Sequence, residues 1–326
     1  MDLEMSAAPE GFVVVIGPDR IHFLDWGGPV APGPGVPTEP PRRPGVLLVH
    51  GLAQTSWSWA PVARRLRRHA HVVAMDLRGH GLSDAPTEGY DPDTLADDVL
   101  AVAEGSGLLL PPDREGDPDV GPEGRPLVLA GHGFGACVAA WAAAMLGDRC
   151  AALVLVDGGW EDVASASGVE PAEFARSIEE PPEVLRSMAA FLADRAAFDP
   201  GTWDADQERA ARSTVVEVPA GHVVPAVRPH ALARSVEAMF GYRPAVVLPS
   251  VEAPIVALVA ASADPAAHAG GLAEAQATLL LAGRPPMRVV DLSPAGHNLM
   301  RYRPDDVVAT TLEAGGNGAP GSTMRS

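Results

Sequence analysis

Histidine and glycine stand side by side at several places in the chain, among them His50-Gly51, Gly79-His80-Gly81, Gly131-His132-Gly133-Phe134-Gly135 and Gly296-His297-Asn298. Imidazole exchanges protons near neutral pH, so glycine turns that carry it are candidate places for proton transfer. Other chemistries fit the residues less well. The Gly131-x-Gly133-x-Gly135 run superficially looks like a dinucleotide loop but lacks the G-x-G-x-x-G spacing. His69-x-His71 alternates along a strand start with no acidic cluster nearby, so no metal site is expected there. Cys137 and Cys150 have neither disulfide-framework nor zinc spacing, and Cys137 reads as a small core residue of an apolar helix. No phosphate-binding loop is present, and no cofactor is expected.

Composition narrows the classes further. Of 326 residues, 47% are apolar and 20% charged, the balance of an ordinary globular protein. The net charge of −18 disfavours nucleic acid, whose phosphates it would repel. The longest apolar run, 136–146, is too short to span a bilayer, so no membrane partner is expected. Residues 1–5 are acidic and do not resemble a secretory leader, which points to the cytoplasm.

Elements able to position these residues can be read from the patterning. Strand-like runs fall at 12–16, 20–25, 46–49, 72–75, 127–130, 153–156, 255–259 and 288–291. From 46 onward they are continuous and apolar, as in a parallel sheet buried on both faces, whereas the first two suggest an antiparallel hairpin at an edge. Helical patterns at 59–69, 93–103 and 135–146 alternate with them. Stretches 27–45 and 111–124 are rich in Pro and Gly and read as loops. The interval 158–249 is too long for a connection and carries helical periodicity at 172–178 and 182–195, so it reads as an inserted helical lid. The expected division is a core of 1–157 and 250–314, a lid of 158–249, and a disordered tail of 315–326.

With the motifs in this order, the chain resembles the α/β-hydrolase superfamily, in particular its capped esterase, epoxide-hydrolase and haloalkane-dehalogenase-like branch. The resemblance rests on Val46-Leu-Leu-Val-His50-Gly51-Leu52, on Asp76-Leu-Arg78-Gly79-His80-Gly81-Leu-Ser83-Asp84, on Gly131 to Gly135, and on the pair Ala261-Ser-Ala-Asp264 and Gly296-His297-Asn298. It covers roughly 12–312, the lid by position only. It implies an α/β fold, a mostly parallel eight-stranded sheet with helices on both faces and an inserted helical lid.

It also implies roles. The segment 131–135 corresponds to the nucleophile elbow G-x-Ser-x-G, in which Asp or Cys replaces Ser in some branches. Here the central residue is Gly133, with no oxygen, sulfur or carboxylate to form a covalent intermediate. Glycine also relieves a backbone position that is often strained. By resemblance His297 is the general base and Asp264 the acid that orients it; Asp157, at the end of the preceding strand, is the runner-up acid, a position used by some relatives, and reads first as a strand-end turn residue. The oxyanion hole would use the backbone N–H groups of Leu52 and Phe134. His50, Trp57, Trp160 and Met239 are candidate substrate-binding residues, with Trp59 and Trp203 as further wall candidates. His50 also reads as orienting its loop, and Asp76, Arg78, His80 and Asp84 as holding theirs together.

Three functions remain open at this level. The protein is an enzyme with a His–Asp dyad and an oxyanion hole acting on a small, largely apolar molecule, by direct water attack or by proton abstraction leading to elimination or cyclisation. Alternatively, it is an inactive small-molecule-binding pseudohydrolase. In the third reading, glycine stands in an ordinary hydrolase by a single replacement. The expected partner is a small-molecule substrate or ligand.

Overall fold

The computed structural model describes residues 8–29, 45–109, 127–179, 184 and 186–316. The expected loop at 111–124, most of that at 27–45, the tail beyond 316 and the acidic 1–5 segment lie outside the described residues, as do parts of the 182–195 pattern.

Strands β1 (Glu10–Ile16), β2 (Asp19–Gly27), β3 (Gly45–Val49), β4 (His71–Met75), β5 (Leu127–His132), β6 (Cys150–Val156), β9 (Ile255–Val259) and β10 (Arg288–Asp291) form one eight-stranded sheet. Its order is β1-β2-β4-β3-β5-β6-β9-β10. β1 pairs antiparallel with β2, and β2 antiparallel with β4, while every pair from β4 to β10 is parallel. Every residue of β3, β5 and β9 is buried, which explains their unbroken apolar runs. β1 lies at the edge and exposes Phe12, Val13 and Val15.

Alternation along the strands divides the interior into two cores. Leu47, Val49, Val73, Met75, Leu129 and Leu155 face α2 (Pro92–Gly105) and α3 (Phe134–Leu146). Val46, Leu48, Val72, Ala74, Val128 and Val154 face α1 (Ala60–Leu66) and α12 (Pro304–Ala314), with the short α11 (Leu299–Tyr302) beside them. α2 starts where Asp91 caps it, its carboxylate accepting from Thr94 N–H at 3.0 Å, with Pro92 in the first turn. α3 is apolar on all sides because nearly every residue in it is buried.

The interval between β6 and β9 carries α4 (Val163–Ser167), α5 (Pro171–Ile178), α6 (Met188–Phe198), α7 (Ala205–Ser213), α8 (Pro229–Gly241) and α9 (Pro244–Val247). It also holds a hairpin of β7 (Val215–Glu217) and β8 (Val223–Pro225), which its composition did not announce. α10 (Pro265–Leu281) follows β9. The interval is tied to the sheet-bearing part of the chain by polar contacts. The Thr55 and Ser213 hydroxyls lie 2.6 Å apart, Arg64 pairs with Asp206, and Arg301 donates to Thr202 Oγ1 at 2.7 Å and to Asp199 O at 2.9 Å.

Candidate active site

The turn from β5 into α3 is built by backbone contact that only glycine permits. A Cβ on Gly131 would run into the Gly135 carbonyl, and one on Gly135 into the carbonyls of Val49 and His50. Between them Gly133 sits at φ 53°, ψ −118°, a left-handed conformation that strains any other residue. Its N–H donates to Val156 O at 3.1 Å and its carbonyl accepts from Ala136 N–H at 3.0 Å, so the main chain is fixed on both sides. A Cβ built here would meet His297 Nε2 at 3.4 Å, His297 Cε1 at 3.6 Å and Gly51 Cα at 3.9 Å.

His297 lies in the loop after β10, which is stitched to the end of β9 by Ala261 N–H donating to Ala295 O at 2.8 Å. Its Nδ1 is 2.6 Å from Asp157 Oδ2. His132 lies against it, ring centroids 4.4 Å apart and planes inclined at 42°, and its Nε2 donates to the His297 carbonyl at 3.0 Å. Burial, with the neighbouring His297, pushes the His132 pKa down to about 3. His132 is therefore a neutral clamp on the main chain of His297.

The acid partner differs from the one expected. Asp264 is the N-cap of α10: its carboxylate is exposed and accepts from Ala267 N–H at 3.0 Å, satisfying a first-turn amide. Asp157, the runner-up acid read first as a turn residue, points its carboxylate at His297 instead. It adopts φ 47°, and its other oxygen accepts from Ala260 N–H at 2.8 Å across the sheet at the end of β9. Two glycines follow it, and a Cβ on Gly158 would stand 2.8 Å from Gly133 Cα. That glycine lets the Asp157 turn close against the elbow; Asp157-Gly158-Gly159 was the sequence signal for it.

Leu52 lies on the loop after β3 and Phe134 is the first residue of α3, directly after Gly133, and neither backbone N–H has an acceptor among the described residues. The first loop is held by buried imidazoles. His50 Nδ1–H donates to Gly51 O at 2.7 Å while its Nε2 accepts from Leu77 N–H at 3.0 Å. His80 Nδ1–H donates to Arg78 O at 3.1 Å while its Nε2 accepts from Ala53 N–H at 3.2 Å, holding Ala53 at φ 56°. Burial lowers both pKa values, that of His80 to about 3. Asp76 accepts from Ser56 N–H, His22 Nδ1–H and Leu82 N–H, and Arg78 grips Asp98 through two 2.7 Å bonds. Asp84 pairs with Arg20.

Several substrate-binding expectations need correction. His50 is fully buried with both nitrogens engaged, so it braces its loop and offers nothing to a ligand. Trp160 and Met239 are buried in the larger of the two cores, and Trp59 is buried in the other. Trp57 is half-buried, with the Arg209 guanidinium 4.5 Å from its ring centre, and lines a cavity of about 260 Å³ with Thr55, His22 and Arg212. Trp203 lies near Arg301.

This geometry agrees with comparisons to known proteins. The model of the Alpha/beta hydrolase family matches residues 46–310, and the chain belongs to that family. It is 32% identical over 114 residues to 2-(acetamidomethylene)succinate hydrolase of Mesorhizobium japonicum, covering 35% of each chain. It is 32% identical over 99 residues to epoxide hydrolase 4 of Mus musculus, covering 30% of this chain and 23% of that one. The match thus spans about a third or less of these curated relatives. Among solved structures, E-2-(acetamidomethylene)succinate hydrolase superposes with a TM-score of 0.69 at 21% identity, over 94% of this chain and 98% of that one. The thioesterase domain of a curacin biosynthetic pathway superposes with a TM-score of 0.67 at 21% identity, over 94% and 100%. Among the described residues no helix is long and apolar enough to cross a membrane.

Proposed function

We propose that the protein is a hydrolase that uses His297, oriented by Asp157, to activate water directly, with no covalent intermediate on the protein. One observation carries this reading: the 2.6 Å His297–Asp157 contact stands complete opposite a residue, Gly133, that has no side chain to react. In the proposed step His297 Nε2 takes a proton from water as its oxygen attacks a carbonyl or epoxide carbon. Asp157 stabilises the imidazolium that forms, and the Leu52 and Phe134 N–H groups receive the developing oxyanion. The imidazolium then returns the proton to the leaving oxygen. The substrate is a small, largely apolar ester, lactone or epoxide, in keeping with the Ala, Val and Met content of the 158–249 interval. Two relatives named as hydrolases support water attack over elimination.

The test is a panel of chromogenic esters, lactones and epoxides against wild type and His297→Ala. Turnover by wild type that falls by about 10²–10⁴ in His297→Ala, without an adduct in the intact mass, is the expected result. Tight binding of panel compounds without conversion, indifferent to His297→Ala, would replace this reading with the binding protein. Unchanged turnover in His297→Ala would place the chemistry elsewhere.

A further inference from the structure

A second imidazole stands behind the acid. His268, on the first turn of α10, has its Nδ1 2.8 Å from Glu161 Oε1 and its Nε2 3.7 Å from Asp157 Oδ1. The Nε2 atom is buried and has no hydrogen-bond partner. The ring is wedged edge-on against Trp160, with centroids 5.4 Å apart, and its side chain is only 16% exposed. Three residues further along α10, a Cβ on Gly271 would lie 2.8 Å from Glu161 Cγ, so the helix has glycine where Glu161 packs. Two carboxylates, from Asp157 and Glu161, thus enclose one imidazole.

The proton count of this cluster decides its role. If Nδ1 carried the only proton and gave it to Glu161, the Nε2 lone pair would face the Asp157 carboxylate, acceptor against acceptor in a buried place. A proton on Nε2 removes that conflict. It is present when imidazolium faces a Glu161 carboxylate, and equally when neutral imidazole faces protonated Glu161. Burial, with the charge of Asp157 as a lesser cause, raises the Glu161 pKa, while His268 opposes the rise.

We propose that His268 is a positioning residue for the dyad: anchored on Glu161, it presents an Nε2–H to the outer oxygen of Asp157 and so sets the charge that His297 feels. This rests on the reading of His297 and Asp157 as the working pair. Among the described residues the ionisable groups facing the ring are Asp157 and Glu161 from the segment after β6, with His297 across Asp157 from the loop after β10; Asp264, on its own helix, turns its carboxylate to Ala267 N–H. Partial neutralisation of Asp157 reduces the charge that faces His297 Nδ1.

The test follows the imidazole ¹⁵N shifts of His297 against pH in wild type, His268→Ala, His268→Gln and Glu161→Gln. Loss of the donor in His268→Ala is expected to raise the His297 pKa by about half a unit to one unit. His268→Gln, which keeps a donor without a titrating charge, recovers part of that shift. Glu161→Gln moves the titration of His268 to lower pH. An identical His297 titration in wild type and folded His268→Ala overturns the proposal; if that variant does not fold, an unmoved His268 titration in Glu161→Gln overturns it. The acid limb of the kcat/KM profile moves with the NMR value where substrate turns over. Absence of turnover throughout counts against the proposed function and leaves the NMR result to decide this inference.

Discussion

Gly133 faces His297 at van der Waals distance: a Cβ on it would stand 3.4 Å from Nε2, with no atom closer. Room therefore exists for a small side chain, and the cost of adding one lies in the backbone, at φ 53°. Gly133→Ser is expected to fold with a loss of about 1–2 kcal/mol, measured by urea denaturation. Its hydroxyl would lie beside His297, and the variant is expected to gain burst-phase ester hydrolysis and labelling by a fluorophosphonate. Absence of labelling in the folded variant would show that the dyad and the N–H groups are not aligned on this point.

The two candidate acids separate cleanly by mutation. Asp157→Asn removes the charge that orients His297 and is expected to lower kcat on any panel substrate by about 10²–10⁴. Asp264→Ala removes a helix cap, costs about 0.5–2 kcal/mol of stability and leaves kcat unchanged. The reverse pattern would restore Asp264 to the site.

Acid stability should be governed by neutral buried imidazoles. His50, His80 and His132 have lowered proton affinities in the fold, the last two to about 3, against a reference value of 6.5. The unfolded chain therefore binds more protons between these limits. Their contribution is complete above pH 6.5 and is lost as the pH falls toward 3. His80 and His132 each give a slope of about 1.4 kcal/mol per pH unit within that window, and His50 adds in the same direction. Urea midpoints at several pH values should fall steeply below neutrality, and less steeply by about one proton in His80→Gln. A flat profile between pH 7 and about 5 would contradict the burial of these rings.

The cysteines should be silent. Burial pushes both thiols up to about 12, so neither is a thiolate at neutral pH. Iodoacetamide is expected to leave the native protein unmodified and to alkylate both after unfolding. Rapid native labelling of Cys137 would make it a nucleophile within reach of solvent.

Much of the fold was legible because its signals are local. Ile255–Val259 has the same limits in the sequence pattern and in the sheet, since a continuous apolar run between breakers has one good place, in a parallel sheet's interior. Arg288–Asp291 also keeps its limits, but it is the far edge strand and largely exposed, not buried on both faces as its pattern suggested. The elbow was legible for a similar reason: Gly131 and Gly135 are dictated by backbone contacts that follow from the turn itself. The acid partner was not. Asp157 and Asp264 both follow central strands, and what separates them is a positive φ at one and a helix start at the other. Pro265 directly after Asp264 was the cue to a helix cap, and Gly158-Gly159 after Asp157 the cue to a close approach. His132 and His268 act through partners 165 and 107 or more residues distant in sequence, a relation that no local pattern encodes. The β7–β8 hairpin was missed because strands of three residues leave almost no periodic signal.

The position of Asp157 at the end of β6 has an architectural consequence. With the acid there, the whole 158–249 interval lies between the two members of the dyad, and neither member belongs to it. Such an arrangement is modular. Beyond its first residues the interval is open to change while Asp157 stays anchored to Ala260 N–H and the His297 carbonyl to His132. Gly158 stands against Gly133 and Glu161 beside His268, so an exchange of the interval that leaves this pair of residues in place begins beyond Glu161.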